Sequence, residues 1–244
     1  MRIPRVYMPM TLVSGARLRL PESAFHHAVR VLRLRVGAEL RVFNGQGGDY
    51  AAFLAQVERR GAWVTIGDFS LSDCESPLGV TLLQGIARGE RMDYSLQKAV
   101  ELGVTQIQPL MCARSVGPLT AERLAKRLSH WQGIVIAACE QCGRNRLPEL
   151  AEPLTLSQWL AGKPDIGQGV QLDPKATLGL SALAPPAYRL SLLVGPEGGL
   201  DAAEMAEATA AGFIGVRLGS RVLRTETAGV AALAAVQTLW GDLG

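Results

Sequence analysis

Between Leu190 and Ala235 the chain alternates strand-length apolar runs, loops in which no regular element can continue, and helix-forming segments. Leu190 to Val194 is one such run, and it stops at Gly195-Pro196-Glu197-Gly198-Gly199. Asp201 and Glu204 then have capping-box spacing ahead of a helix-forming segment, Ala202 to Ala211, which Gly212 ends. Phe213 to Leu218 reads as a second strand, Gly219 to Arg224 as a second irregular loop, and about Thr225 to Trp240 as a last helix. Strand, loop and helix, twice over, is the grammar of a parallel α/β sheet. In such sheets ligands sit beyond the carboxyl ends of the strands, where both loops fall. The glycines of the first loop either let a ligand approach the backbone or only make a tight strand-to-helix turn. Neither phosphate-binding fingerprint, Gly-x-Gly-x-x-Gly or Gly-x4-Gly-Lys-Ser/Thr, is present.

The same grammar starts earlier. Val80 to Ile86 reads as a strand, followed by a helix through Lys98-Ala99-Val100-Glu101-Leu102 that Gly103 stops, and a strand from Thr105 to Leu110. After the loop Met111 to Pro118, Thr120 caps a long helix with Leu124, Leu128, Trp131 and Val135 at core spacing. A short helix within Pro153 to Gly162 and a strand from Gly169 to Asp173 complete this half. The N-terminal part reads differently. It has a helix-compatible stretch from Pro21 to Val29, charged–apolar alternation toward Val36, and short strands at Glu39–Phe43, Tyr50–Val57 and Ala62–Ile66 with Gly-rich turns, which suggests a small barrel. Gly67 to Pro77 is polar and reads as a linker, so the expected domains are residues 1–72 and 73–244.

Charge separates the halves. Residues 1–67 carry ten arginines, no lysine and four acidic residues, whereas the remainder carries fifteen basic and eighteen acidic residues. A module this rich in arginine faces a polyanion or presents a solvated basic face. No apolar run is long enough to span a bilayer, and Met1-Arg2-Ile3-Pro4-Arg5 lacks the apolar core of a signal peptide, so a cytoplasmic protein is expected. Cys139-x-x-Cys142 has no second pair to complete a zinc shell and sits in a helical run, where both read as small apolar residues. Of His26 and His27, one is expected toward the core and one exposed; no metal site is expected.

Leu193-Val194-Gly195-Pro196-Glu197-Gly198-Gly199-Leu200, followed by Leu218-Gly219-Ser220-Arg221-Val222-Leu223-Arg224-Thr225-Glu226-Thr227-Ala228, resembles the C-terminal signature of the ribosomal RNA small subunit methyltransferase E family. The resemblance continues through His26-His27 with Val31-Leu32-Arg33, Gly89-Glu90-Arg91-Met92-Asp93-Tyr94, Gln97 to Gly103, Arg114-Ser115 and Glu140-Gln141-x-x-Arg144. It covers most of the chain outside Pro148–Ala187, and departs from the family pattern at Val100, Ala113 and Cys142.

The resemblance implies an α+β two-domain protein: an N-terminal PUA-like RNA-binding β-barrel and a C-terminal α/β parallel-sheet domain with a deep trefoil knot of the SPOUT type. It implies S-adenosylmethionine (SAM) as cofactor, held by Leu172, Gly195, Pro196, Glu197, Gly198, Leu218, Gly219, Val222, Leu223 and Arg224. The implied reaction is methylation of uridine N3 in 16S ribosomal RNA of the small subunit, with Arg224, Glu226 and Arg144 as catalytic candidates. Arg5, His27, Arg30, Arg33, Arg35, Arg88, Arg91 and Arg114 are the candidate RNA contacts, and a homodimer through the last helix is implied. A knotted enzyme acting on tRNA or 23S rRNA and a non-catalytic RNA-binding module are the alternatives; a nucleotide hydrolase ranks last, for want of a phosphate-binding lysine in the glycine loop.

Overall fold

The structure is a computed structural model that describes residues 3–115 and 120–244. The end of the loop expected after Met111, from Val116 onward, lies outside the described residues. The chain divides into two compact units, one of Met1–Glu75 with Ile136–Leu147, the other of Ser76–Val135 with Pro148–Gly244.

The first unit is built on a five-stranded sheet in the order β1-β3-β4-β5-β2, with β1 at Arg5–Tyr7, β2 at Arg17–Arg19, β3 at Glu39–Phe43, β4 at Asp49–Glu58 and β5 at Gly61–Ser70. β1 runs parallel to β3 and the other pairs are antiparallel. The inward positions of the long hairpin (Ala52, Leu54, Val64 and Ile66) alternate with outward ones, as a half-buried sheet requires, and pack with Val6, Leu40 and Val42. β5 extends to Ser70, so the linker starts later than its composition suggested. In the connection from β3 to β4, Gly48 has φ +66°, and a Cβ there would lie 2.4 Å from the Phe69 ring, so only glycine fits.

The helix-compatible stretch after Pro21 is helical, but with an unexpected backbone, and the expectation for the histidines fails. A single α-helical turn, Glu22–Phe25 (α1), widens into π-helical backbone over His26–Val31, and no strand follows. The alternation toward Val36 is therefore not a strand pattern. Both His26 and His27 are exposed, because the wide turn places Ala28, and neither histidine, against the core.

Segment 136–147 enters the first unit as a row of polar anchors. The Tyr7 amide donates to Glu140 Oε1 (2.9 Å), the Asn145 side-chain amide donates to Ser72 O (2.7 Å), and the Arg144 guanidinium forks onto both oxygens of Glu75 (Nε at 2.9 and 3.1 Å). Burial raises the Glu140 carboxyl above its usual value, and the Tyr7 amide pulls in the other direction. Arg5 is drawn into the same cluster. It pairs with Asp49 at 2.8 Å, donates to Asn145 Oδ1 and to Arg144 O, and lies over the Phe43 ring. Arg5 and Arg144 are thus spent on holding the unit together, and neither is presented to a substrate.

The second unit is a six-stranded, all-parallel sheet in the order β11-β9-β10-β6-β7-β8. Its strands are β6 (Gly79–Gly85), β7 (Gln106–Leu110), β8 (Glu149–Leu150), β9 (Gln168–Leu172), β10 (Arg189–Val194) and β11 (Ile214–Val216). The central pair β6 and β10 is covered on both faces and so reads as nearly continuous apolar sequence. Helices α2 (Glu90–Glu101), α3 (Ala121–Cys142), α4 (Leu156–Ala161), α5 (Ala202–Ala210) and α6 (Thr225–Trp240) connect and flank the strands, the last turns of α3 belonging to the first unit. On α3, Trp131 and Val135 are buried, whereas Leu124 and Leu128 are only half-buried. The C-terminal half of α6 is tied down by Gln237, which donates to Leu102 O (2.9 Å) and accepts from Ser76 Oγ (2.7 Å).

Arg144 is 4% exposed, so deleting its charge leaves the Glu75 carboxylate largely buried and unpaired. Arg144→Ala is expected to cost about 3–5 kcal/mol of stability in urea unfolding. The Glu75→Ala/Arg144→Ala double variant is expected to lose clearly less than the sum of the two single ones.

Candidate active site

A cleft of about 860 Å³ opens beyond the carboxyl ends of β9, β10 and β11. That position is where open parallel sheets bind ligands, and the volume lies within the ~300–1,000 Å³ of small-molecule sites. Three connections line it: Leu172 to Lys175 after β9, Val194 to Leu200 after β10, and Val216 to Thr225 leading from β11 into α6. Arg91 of α2, Arg114, Met205, Glu226 and Ala228 complete the wall.

The β10 loop is shaped by contacts to itself and its neighbours. A Cβ on Gly195 would lie 2.8 Å from the Leu200 amide nitrogen, and one on Gly198 would lie 2.9 Å from Arg114 Cβ. A Cβ on Gly85, at the end of β6, would lie 2.5 Å from the Pro196 nitrogen. These glycines therefore permit chain segments to close on one another, which favours the second of the two readings that the sequence leaves open for Gly195 and Gly198. The capping box of α5 forms as its spacing predicts, with Asp201 Oδ1 accepting from the Glu204 amide and Glu204 Oε2 from the Asp201 amide, both at 2.8 Å. The second oxygen of Glu204 accepts from the Ala113 amide (2.8 Å), which brings the Arg114 loop alongside. Arg114 then donates to Gly198 O (3.1 Å) and Leu200 O (3.3 Å), bracing the β10 loop.

Charge gathers on one wall. Glu197 Oε1 accepts from the Arg88 amide (2.9 Å) and from Arg91 Nη1 (3.0 Å). Burial pushes its carboxyl up, but these donors outweigh burial and hold it below the usual carboxylate range. Arg91 Nε also lies 3.9 Å from Glu226 Oε1, and the other Glu226 oxygen is buried without a hydrogen-bond partner. Arg224, at the start of α6, is exposed on the rim.

Beneath the cleft, three segments meet at one hydroxyl. Gln84, fully buried on β6, donates to Thr225 Oγ1 (3.0 Å), and Thr225 Oγ1 lies 2.5 Å from Gly195 O. Because the threonine oxygen accepts from the amide, its single proton goes to the Gly195 carbonyl. The relay fastens the β10 loop to the first turn of α6. Gly229, one turn further on, lets the helix pass over Gln84 Oε1, which a Cβ there would approach to 3.3 Å.

Of the residues expected around the cofactor, Leu172, Gly195, Pro196, Glu197, Gly198, Leu218, Val222, Leu223 and Arg224 line the cleft, while Gly219 borders a neighbouring depression with Leu180 and Leu239. Glu226 lines the cleft as well; Arg144 belongs to the first unit and is bound to Glu75. Arg91 and Arg114, read as RNA contacts, are cleft residues, and Arg88 is exposed with its amide on Glu197. His27, Arg30, Arg33 and Arg35 are exposed on the first unit. Sequence reasoning missed Asp173, Lys175, Arg217 and Arg221 of the cleft, and Gln84 and Thr225 of the relay. Thr225 lay inside the quoted motif. Gln84 carried a signal as the one amide in an apolar strand. Burial pushes the Cys112 and Cys139 thiols up to about 12, which makes both inert at neutral pH. Among the described residues no His, Cys, Asp and Glu cluster has the arrangement of a metal site.

The relay has a direct consequence. Thr225→Val keeps the side-chain volume and removes the hydroxyl, so it is expected to weaken binding of the cleft's ligand about tenfold in calorimetry. Thr225→Ser restores the bond and is expected to stay within about twofold of wild type.

Comparison with known proteins places this geometry. Residues 74–237 match the RNA methyltransferase domain family, and residues 20–67 match the RNA methyltransferase PUA domain. The ribosomal RNA small subunit methyltransferase E of Buchnera aphidicola (subsp. Schizaphis graminum) is 34% identical over 99% of this chain and 98% of its own. A crystal structure of the enzyme of that name from Neisseria gonorrhoeae, bound to S-adenosylmethionine, is 41% identical, covers 100% of both chains and superposes with a TM-score of 0.92. A Legionella pneumophila protein solved in complex with SAM is 37% identical, with a TM-score of 0.96 over 100% of both chains. A PUA domain joined to a parallel-sheet RNA methyltransferase domain, matched to such relatives over nearly its whole length, makes this chain a member of the ribosomal RNA small subunit methyltransferase E family.

Proposed function

We propose that this protein methylates N3 of a specific uridine in 16S ribosomal RNA, with SAM held in the cleft beyond β9, β10 and β11. The observation that supports this reading is the cleft itself: three strand-end loops closing on one another around a volume of small-molecule size, in a family of which one member has been crystallised with that cofactor. The cleft suits the group. Leu172, Val194, Leu218, Val222 and Leu223 offer apolar surface for an adenine, and the backbone of the two glycine-bearing loops offers polar groups for its edges. SAM supplies an activated methyl group on a sulfonium.

What remains for the chain's own side chains is the acceptor. Uridine N3–H is a weak acid, and the nitrogen attacks only as its proton leaves. Glu226 is assigned as proton acceptor, since the residue lines the cleft and its Oε2 has no hydrogen-bond partner among the described residues. Arg224 and Arg91, cations on the same wall, are assigned to stabilise the charge spreading onto the uracil oxygens. Arg91 is meanwhile held by Glu197, which keeps it beside the reacting base. The first unit carries the RNA on its arginine-rich surface, where His27, Arg30, Arg33 and Arg35 are exposed.

The remaining inferences complete this reading. The connection from β9 to β10 bonds to the end of β11 (Arg217 amide to Leu178 O, 2.9 Å) and continues into a short turn, Leu180–Ala182, that packs on α6. Passage of β11 and α6 through that connection would make the trefoil knot. Apolar residues exposed at either end of α6, Val222, Leu239 and Leu243, suit a homodimer interface. The substrate is RNA within the small ribosomal subunit, and the protein acts in the cytoplasm, where that subunit is assembled. Among the described residues no helix is long and apolar enough to cross a membrane.

Mass-spectrometric mapping of rRNA from cells with and without the gene is expected to show one N3-methyluridine in 16S RNA that disappears with the gene and returns on complementation. A lost methyl group in 23S RNA or tRNA would reassign the substrate. Glu226→Gln is expected to lower kcat by about 10²–10⁴-fold with SAM affinity held within about twofold. A loss confined to KM for SAM would instead make Glu226 a cofactor ligand.

A further inference from the structure

Between Ala24 and Val36 the first unit departs from what its own sequence pattern favours. Ala24, Phe25 and Ala28 are buried, and α-helical spacing would put residues 31 and 32 next on that face. The backbone widens instead. The Leu32 amide donates to His27 O, five residues back (2.9 Å), and the Leu34 amide to Ala28 O, six back (3.0 Å). One extra residue in the turn swings Val31 and Leu32 outward. Arg33 then adopts φ +54°, a left-handed conformation uncommon for a long side chain, and the chain bends toward Val36. Val31 is left 56% exposed, Leu32 41% and Val36 60%, while Leu34 between them packs on the core.

These aliphatic residues stand among arginines. Arg30, Arg33, Arg35, Arg59 and Arg60 are all exposed, and Arg30 is steadied by a bond to Arg59 O (2.9 Å) and by the Phe25 ring. The nearest acidic residues in sequence are Glu22 on α1, Glu39 at the start of β3, and Glu58, which accepts from Gln56, so five arginines face three carboxylates. A π-helical turn and a left-handed arginine both cost conformational energy, and such features persist where a function holds them. Here they turn outward aliphatic side chains that α-helical spacing would have carried onto the core face. A second copy of the chain would bring the same positive charge to this face. A polyanion with apolar faces complements it. Phosphates answer the arginines, and the faces of unstacked bases answer the valines and leucine, which an intact duplex does not expose.

We propose that Val31, Leu32 and Val36 form an apolar wedge that packs against unstacked bases in a single-stranded stretch of the substrate RNA, with the surrounding arginines on its phosphates. The wedge rests on the RNA-methylating reading above for the identity of that RNA. It keeps the bases of that stretch apart, and enzymes that act on a base need it out of the stack.

The test uses the full chain and a short uridine-centred oligoribonucleotide with 2-aminopurine beside the uridine, whose fluorescence rises on unstacking. Wild type is expected to raise the fluorescence. Val31→Ser/Leu32→Ser is expected to abolish the rise and weaken binding roughly tenfold, leaving the salt dependence and the SAM affinity unchanged. Arg33→Ala/Arg35→Ala is expected to keep the rise at saturation and to reduce the salt slope by roughly 0.7 per arginine. Wild-type affinity and fluorescence in the serine variant would overturn the wedge. So would a change in its mass by light scattering, which would assign the face to a protein partner. Val36→Ser serves the same comparison if the double variant does not fold. A wild-type protein that methylates 16S RNA without changing the fluorescence overturns the wedge alone; one that neither methylates nor binds RNA overturns the enzyme assignment with it.

Discussion

The Thr225 hydroxyl is the smallest group on which the cleft depends. Parallel strands end in loops that have no ladder to hold them, and a site built from three such loops needs an internal reference. Gln84 provides it from β6, the strand nearest the middle of the sheet, and Thr225 passes it to the Gly195 carbonyl. Burying an amide whose own oxygen has no partner is a cost, and an apolar side chain would have filled β6 at less. The glycines follow from the same need: Gly85, Gly195, Gly198 and Gly229 are the places where segments fastened together leave no room for a Cβ.

The electrostatic arrangement is layered on this frame. Glu197 is held ionised by amides and by Arg91, so that arginine is fixed along one edge and still faces Glu226 across a gap of 3.9 Å. A guanidinium shared between a close carboxylate and a distant one is ordered before any substrate arrives, which lowers the cost of ordering it during the reaction. Arg114 contributes by a different route. Its two bonds to loop carbonyls make it part of the wall.

Much of the second unit could be read in the sequence because parallel α/β structure writes each decision locally: an apolar run, a glycine break, a capping pair such as Asp201 and Glu204. Residue roles were less accessible. Arg5 is read as an RNA contact because it lies in an arginine-rich module, and Arg144 as a catalytic candidate because it closes a family motif, but their partners Asp49, Asn145 and Glu75 lie outside any pattern that the sequence displays. Arg91 and Arg114 came from the family motifs as RNA contacts, and the packing of α2 and of the Glu204 cap, which no motif displays, brings both to the cleft. The stretch around Val31 misled in an instructive way. Its alternation fits a strand and its apolar spacing fits a helix, and the π-turn with a left-handed Arg33 satisfies neither.

The way segment 136–147 completes the first unit bears on how the chain matures at the ribosome. Domains that emerge first usually fold first. Here the N-terminal sheet leaves the exit tunnel without the residues that pair with Glu75, Ser72 and the Tyr7 amide, and it must wait through the translation of β6, α2, β7 and nearly all of α3 before they arrive. By that stage two of the six parallel strands, β6 and β7, have been made, and β8 to β11 follow only later in the chain. The final packing of the first unit therefore waits on residues made after much of α3, and a chain cut at the linker would lack the partners of Glu75, Ser72 and the Tyr7 amide.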